Sequence, residues 1–222
     1  MQLYFKGDNR VGRIHCATHD GTNMRYTDDI NNTNSITITG DSDATLTGGN
    51  LLSNSNKNNT AGIIGGTDSY DHTVKITLKK IIIYAGNAYF DYGTAIGGGG
   101  NGFGIVTIDE NATVTAITSS TGTAIGGGCG TSGPGGKGEV TIKSGNVYAY
   151  NYKPYMIKAV TKDGDKITEW TENTSYSDAI PTAIGGGSSG AQIGGLGKVN
   201  ITGGNVFAYS QVGNAIGGGR RW

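Results

Sequence analysis

An excess of charge is the first thing this sequence does not have: 17 Lys and Arg are balanced by 17 Asp and Glu, for a formal net charge of zero. No bulk field gathers nucleic acid or an anionic membrane, and a nucleic-acid partner is not expected. Long apolar runs are missing too. The stretch "KIIIYAG" at 80–86 falls far short of the roughly 20 residues that a membrane-spanning helix needs. No charged-then-apolar leader opens the chain. Strand-like "QLYFKGDNR" follows Met1 directly and "GRRW" ends as abruptly, which suggests a stretch of a longer polypeptide.

Cysteine is scarce. Cys16 and Cys129 stand far apart, outside any CxxC or Cys/His spacing that would suggest zinc. A Cys16–Cys129 disulfide and two separate thiols both remain open. The three histidines, His15, His19 and His72, are scattered, and "HCATH" around Cys16 brings no further ligands. Proline occurs three times, and the 41 glycines follow no every-third-residue period, so collagen is excluded. Disorder is excluded by short alternating runs rich in Val, Ile and Tyr, such as "SITITG", "VKITL", "VTIKSGNVYAY" and "VNITGGNVFAY".

What the chain does have is one phrase repeated. "GTAIGGG" stands at 93–99 and again at 122–128, with "PTAIGGG" at 181–187 and "GNAIGGG" at 213–219. Counting by the isoleucine before the glycines, copies fall at Ile64, Ile96, Ile125, Ile184 and Ile216, at spacings of 32, 29, 59 and 32. The long spacing is one period plus an insertion at about 152–178, which is more charged and aromatic than its surroundings. Each unit holds two alternating strand signals and the short Ala-Ile-Gly segment, separated by turns rich in Gly, Asn, Asp and Ser. Three strands in a period of about thirty residues describe one coil of a parallel β-helix. A propeller blade needs four antiparallel strands in a longer period and ranks second.

The expected architecture is all-β: a right-handed parallel β-helix of about five coils, with residues 1–35 as an N-terminal strand and cap-like segment. Residues 36–222 form the repeat domain, interrupted by an inserted loop region. One inward column should hold Ile36, Ile76, Val106, Val140 or its neighbour, and Val199, and the next Ile38, Leu78, Ile108, Ile142 and Ile201. The repeated glycines fit corners where the backbone takes positive φ or passes close to the coil beside it. A nucleotide loop would occur once, between strand and helix, with Lys-Ser/Thr or a ribose-binding acid nearby, and none surrounds these copies. Calcium-binding nonapeptide repeats need an aspartate that "GGGGNGFGI" lacks.

These residues carry a family resemblance. The phrase Ala95-Ile96-Gly97-Gly98-Gly99 with its later copies, and "VNITGGNVFA" at 199–208, resemble the tandem "GAGIGGG" modules of surface proteins from gut Firmicutes and related bacteria. There the phrase alternates with "VTITGGTVTA"-like strands, and the likeness covers about residues 36–219. It implies a pectate-lyase-like β-helix, secreted or attached to the cell wall, with an adhesin-like or carbohydrate-contacting role. It brings no catalytic residues. Thr or Asn in place of the first phrase's glycine, and the 152–178 insertion, are departures that leave the ligand open.

Parallel β-helices also hold polysaccharide lyases and hydrolases, which need clustered carboxylates for calcium or two carboxylates at a working separation. Asp41 and Asp43 are the candidate acidic pair for calcium, with Asp68 and Asp71 next. The turn "TGDSDATL" gives the first pair a second reading, as side chains bonded to nearby backbone amides. Asp109 aligns between Lys79 and Lys143, which reads as a surface charge ladder. Thr37, Thr77, Thr107 and Thr141 form a column one threonine wide, too narrow for an ice-binding face.

The sharper signal is aromatic. Outward positions of the second strand hold Tyr84, then Thr115, then Tyr148 and Tyr150, then Phe207 and Tyr209. Rings on coils about 4.8 Å apart suit stacking on the apolar faces of sugars, with Asn146, Asn151, Asn205 and Ser210 beside them for hydrogen bonds. Trp170, in the insertion with Tyr152, Tyr155 and Tyr176, is a further ligand-contact candidate; the alternative is that the insertion folds back and covers the rings. The expected function is a non-catalytic extracellular binding or adhesion module for cell-surface or dietary polysaccharide, or for another protein. The rival is a structural unit that associates end to end into filaments through open strands. A polysaccharide lyase ranks third.

Overall fold

A computed structural model describes residues 1–12, 14–15, 34–49, 64–65, 73–87, 94–118, 121–130, 133–152, 157–163, 166–172, 180, 182–190 and 192–221. Among them there is no helix, and the chain visits three sheets in the same order six times. The first pass, or rung, is β1 (Gln2–Phe5), β2 (Asp8–Val11) and β3 (Ile14–His15); the second is β4 (Asn34–Gly40), β5 (Thr45–Gly49) and β6 (Ile64–Gly65). The third is β7 (Thr73–Lys79), β8 (Ile82–Asn87) and β9 (Ile96–Gly97), and the fourth β10 (Phe103–Asp109), β11 (Thr113–Thr118) and β12 (Ile125–Gly126). The fifth runs through β13 (Gly138–Ile142) and β14 (Asn146–Asn151), makes the excursion β15 (Ile157–Asp163) and β16 (Lys166–Glu172), and closes with β17 (Ile184–Gly185). β18 (Gly197–Ile201), β19 (Asn205–Ser210) and β20 (Ile216–Gly217) complete the sixth.

Each of the three sheets has six parallel strands, one from each rung. The expected columns hold residue by residue. Ile36, Ile76, Val106, Val140 and Val199 are successive partners in the first sheet, as are Ile38, Leu78, Ile108, Ile142 and Ile201, with Leu3 extending the second column. Side chains from all three sheets meet in one buried cluster, to which the third sheet adds Ile96, Ile125 and Ile184. At about 25 cal/mol per Å² of apolar surface removed from water, such aliphatic columns are the main source of stability.

Two expectations change. The rung count is six, where about five were expected, because β1, β2 and β3 stack on β4, β5 and β6. His15 stands where the other rungs have the glycine that follows the isoleucine, so the glycine marker did not find Ile14. The insertion is also more than a loop. Its β15 and β16 pair antiparallel, with Trp170 opposite Val160.

The repeated phrase has a physical explanation. Gly126 has φ +137, a left-handed-side backbone that residues with a Cβ rarely adopt, and a Cβ there would collide with the Gly185 carbonyl oxygen of the next rung. Farther along, two glycine tracks bond across rungs: Gly136 N–H donates to Gly128 O (2.7 Å), Gly187 N–H to Gly136 O (2.9 Å), and Gly195 N–H to Gly187 O (2.7 Å). Backbones this close leave no space for side chains.

Candidate functional site

The strands β14 and β19 lie side by side, with Asn146 opposite Asn205, Tyr148 opposite Phe207, and Tyr150 opposite Tyr209. Because side chains alternate along a strand, the burial of Val147 and Ala149 at 0% exposure turns Asn146, Tyr148 and Tyr150 outward. Tyr148 is 39% exposed, Phe207 52% and Tyr209 41%. Tyr84 lies in the column of Tyr148, two rungs away with Thr115 between them.

The rings touch. Tyr150 is half-buried, its centroid 5.5 Å from Phe207 at a tilt of 42° and 6.3 Å from Tyr152 with planes within 6° of parallel. Tyr152 also meets Tyr209 at 5.9 Å. Contacts of this kind contribute about 0.5–1.5 kcal/mol per pair beyond the area they bury, so the rings hold one another in place. Tyr152 belongs to this strip, although sequence reasoning placed it in the insertion. Its N–H donates to Thr118 O at 2.8 Å, which continues the sheet one residue past Asn151. The alternation Tyr148, Tyr150, Tyr152 was the available signal. Burial, followed by the neighbouring Tyr150 and Tyr209, raises the phenol of Tyr152 above its ordinary value, so it remains a protonated donor at neutral pH.

The asparagines divide. Asn205 Nδ2 donates to Asn146 Oδ1 at 3.0 Å, a side-chain ladder along the edge of the strip. Asn151 points the other way. It is 0% exposed, and its Nδ2 donates to Gly122 O (3.0 Å) and Thr182 O (3.2 Å), tying the second sheet to the approach to the third. Ser210, its partner in the next rung, is half-buried, and its Oγ accepts from Gly213 N–H at 3.0 Å. Both stand an odd number of residues from the rings, and the period of two places them on the inner side. Trp170 lies in β16, while Tyr155 and Tyr176 are outside the described residues.

The remaining candidates are dispersed. The Asp41 carboxylate accepts the Tyr4 hydroxyl from the first rung, and Asp43 is exposed at the turn. The expected bond from the Asp41 side chain to a turn amide is replaced by this contact, while Ala44 N–H reaches the Asp41 backbone carbonyl at 3.0 Å. Among the described residues no three His, Cys, Asp or Glu side chains come together as a metal site. Asp68, Asp71, Cys16, His19 and His72 lie outside the described residues, and Cys129 is fully buried, with Ser188 Oγ 3.6 Å from its Sγ.

The charge ladder is present on the first sheet. Lys143 Nζ is 3.4 Å from Asp109 Oδ2, Lys79 Nζ reaches Glu110 Oε1 at 2.7 Å, and Lys198 Nζ reaches Glu139 Oε1 at 2.8 Å. The Glu110 N–H bond, more than the two lysines, holds the Asp109 carboxyl below the ordinary range. Exposed pairs of this kind relieve repulsion between rungs, and solvent screening keeps their contribution to stability small. No helix among the described residues is long and apolar enough to cross a membrane. No family model, curated protein or solved structure matches the chain, so what the strip can do is read from its own geometry.

Proposed function

We propose that the chain is a right-handed parallel β-helix serving as a non-catalytic, extracellular or wall-attached binding module that contacts glycan through the aromatic strip. The shared core of the three sheets supports closure into one solenoid, and parallel strands joined by crossovers are right-handed in nearly all cases. The observation that carries the functional reading is the cluster of Tyr150, Tyr152, Phe207 and Tyr209, with Tyr148 on the same face opposite Phe207 and with Tyr148, Phe207 and Tyr209 exposed. Exposed rings on a fixed scaffold offer contact area at little entropic cost, which suits the apolar face of a sugar.

A glycan array probed with the chain and with a Tyr148→Ala, Tyr209→Ala double variant tests this. Circular dichroism serves as the check that both remain folded. Loss of binding by about tenfold or more in the folded variant is the expected result, corresponding to about 1.4 kcal/mol. Equal binding by the two proteins would remove the strip from the site. Release of unsaturated products in the presence of calcium would shift the assignment to a lyase.

A second reading, a self-stacking structural unit, is favoured by the face of the sixth rung. Ile201 is 44% exposed, whereas Ile38, Leu78, Ile108 and Ile142 in its column are at 0%. Ile216 is 43% exposed against 0% for Ile96, Ile125 and Ile184, and Leu196 and Ile193 on the same rung are at 72% and 74%. Another copy of the chain stacked there would cover these side chains and pair the strand edges. Sedimentation velocity should then show a coefficient that rises with concentration, an effect that Ile201→Asp suppresses. A concentration-independent monomer sinks this reading.

A further inference from the structure

The outward face of the second sheet differs from that of the first in one respect that bears on ligand chemistry. In the first sheet the outward columns carry Lys75, Lys79, Asp109, Glu139 and Lys198. In the second, the outward positions of β5, β8, β11, β14 and β19 hold only Thr, Ile, Tyr, Gly, Asn and Phe. Asp8 and Arg10, on the first rung, are the only charged outward residues among its described strands. Lys143, in the turn before β14, is directed to Asp109. Among the described residues the strip is therefore uncharged, while the outward columns of the first sheet carry charge.

Its shape is directional as well. Tyr148, Tyr150 and Tyr152 follow one another at every second residue along β14 and its continuation, a span of roughly 13 Å at about 3.3 Å per residue. Across the rungs the cluster is two strands wide, with β19 contributing Phe207 and Tyr209, a step of about 4.8 Å. The long axis of the seat runs along the strand, perpendicular to the direction in which rungs stack.

We infer, building on the glycan reading above, that the strip takes an electrically neutral oligosaccharide lying along β14, with Tyr148, Tyr150 and Tyr152 offering three successive stacking positions. The face of a phenol ring is electron-rich. It attracts the polarised C–H face of a neutral pyranose and repels a carboxylate or sulfate laid over it. A uronic acid or sulfated sugar on this surface would surrender hydration without meeting a cation, a penalty that no described side chain on the strip offsets. The Asn146–Asn205 ladder and the Tyr152 hydroxyl supply neutral polar groups at the two ends of the same row.

Titration calorimetry on the folded chain tests the inference. The probes are β-1,4-linked gluco-, xylo- and mannooligosaccharides of one to six units and oligogalacturonides of the same lengths, each at low and high salt. For at least one neutral series, affinity is expected to rise by about tenfold from one unit to three, then level off and ignore salt. Tyr152→Ala should flatten the rise with length, lowering the affinity for three-unit and longer probes by more than that for single units. Tighter binding of oligogalacturonides that weakens with salt overturns the neutral class while leaving the glycan reading standing. Neutral affinity that climbs steadily through six units overturns the three-position seat, and no binding by any probe removes the glycan reading together with this one.

Discussion

Gly126→Ala is expected to abolish cooperative folding or to cost more than about 4 kcal/mol, a loss that single substitutions reach only through a few mechanisms. Two of those mechanisms coincide here. The backbone has φ +137, and the added methyl would meet the carbonyl oxygen of Gly185, which belongs to a neighbouring rung and has no room to retreat. Gly217 separates the two causes. Its φ is +140, but the nearest atom to a Cβ there is Asn214 Nδ2 at 3.9 Å. Gly217→Ala therefore retains the backbone strain and omits the collision, for an expected cost of about 1–3 kcal/mol. Thermal unfolding followed by circular dichroism reads both, and equal losses would show that the rungs do not approach as closely as the structure places them.

That comparison reflects what the sequence made legible. The phrase ending in Ile-Gly-Gly-Gly repeats because each copy faces the same neighbour, so the third sheet could be counted off from Ile64 to Ile216. Aliphatic columns such as Ile38, Leu78, Ile108 and Ile142 were equally readable, since stacking rungs in register demands similar shapes at successive levels. Where a rung departs from the phrase, the signal fails. Ile14 is followed by His15, and the first rung was hidden for that reason.

The candidate site was legible in direction more than in detail. Alternation placed Tyr148, Tyr150, Phe207 and Tyr209 outward, and the structure agrees. Asn151 was misassigned by attending to residue type over parity: an asparagine beside tyrosines looks like a ligand contact, but its odd offset sends it inside to bond Gly122 and Thr182. Tyr152 was misassigned for the opposite reason. A composition boundary was drawn at the residue where the insertion begins, while the β-ladder and the ring contacts run one residue past it. Composition marks where a segment changes character, and hydrogen bonding decides where a strand stops.

The second large effect is expected in the core, and it measures how much of the stability comes from rung-on-rung burial. Ile108 is at 0% exposure with Leu78 on one side of its column and Ile142 on the other. Ile108→Ala removes three carbons from a packed site that both neighbours hold rigid, so the cavity cannot collapse, and the expected cost is about 2–5 kcal/mol. Ile201 occupies the same column with Ile142 on one side only, at 44% exposure. Part of its side chain has never left water, so Ile201→Ala should cost about 1 kcal/mol or less in dilute solution. The two variants differ in level alone: residue type, strand position and inward orientation are shared. A denaturant series on both, with the slope checked for two-state behaviour, should give midpoints shifted unequally in that order. Should the Ile201→Ala penalty grow with protein concentration toward that of Ile108→Ala, a second copy must be covering the sixth rung, because only burial by another molecule would give its side chain the surroundings of the fourth.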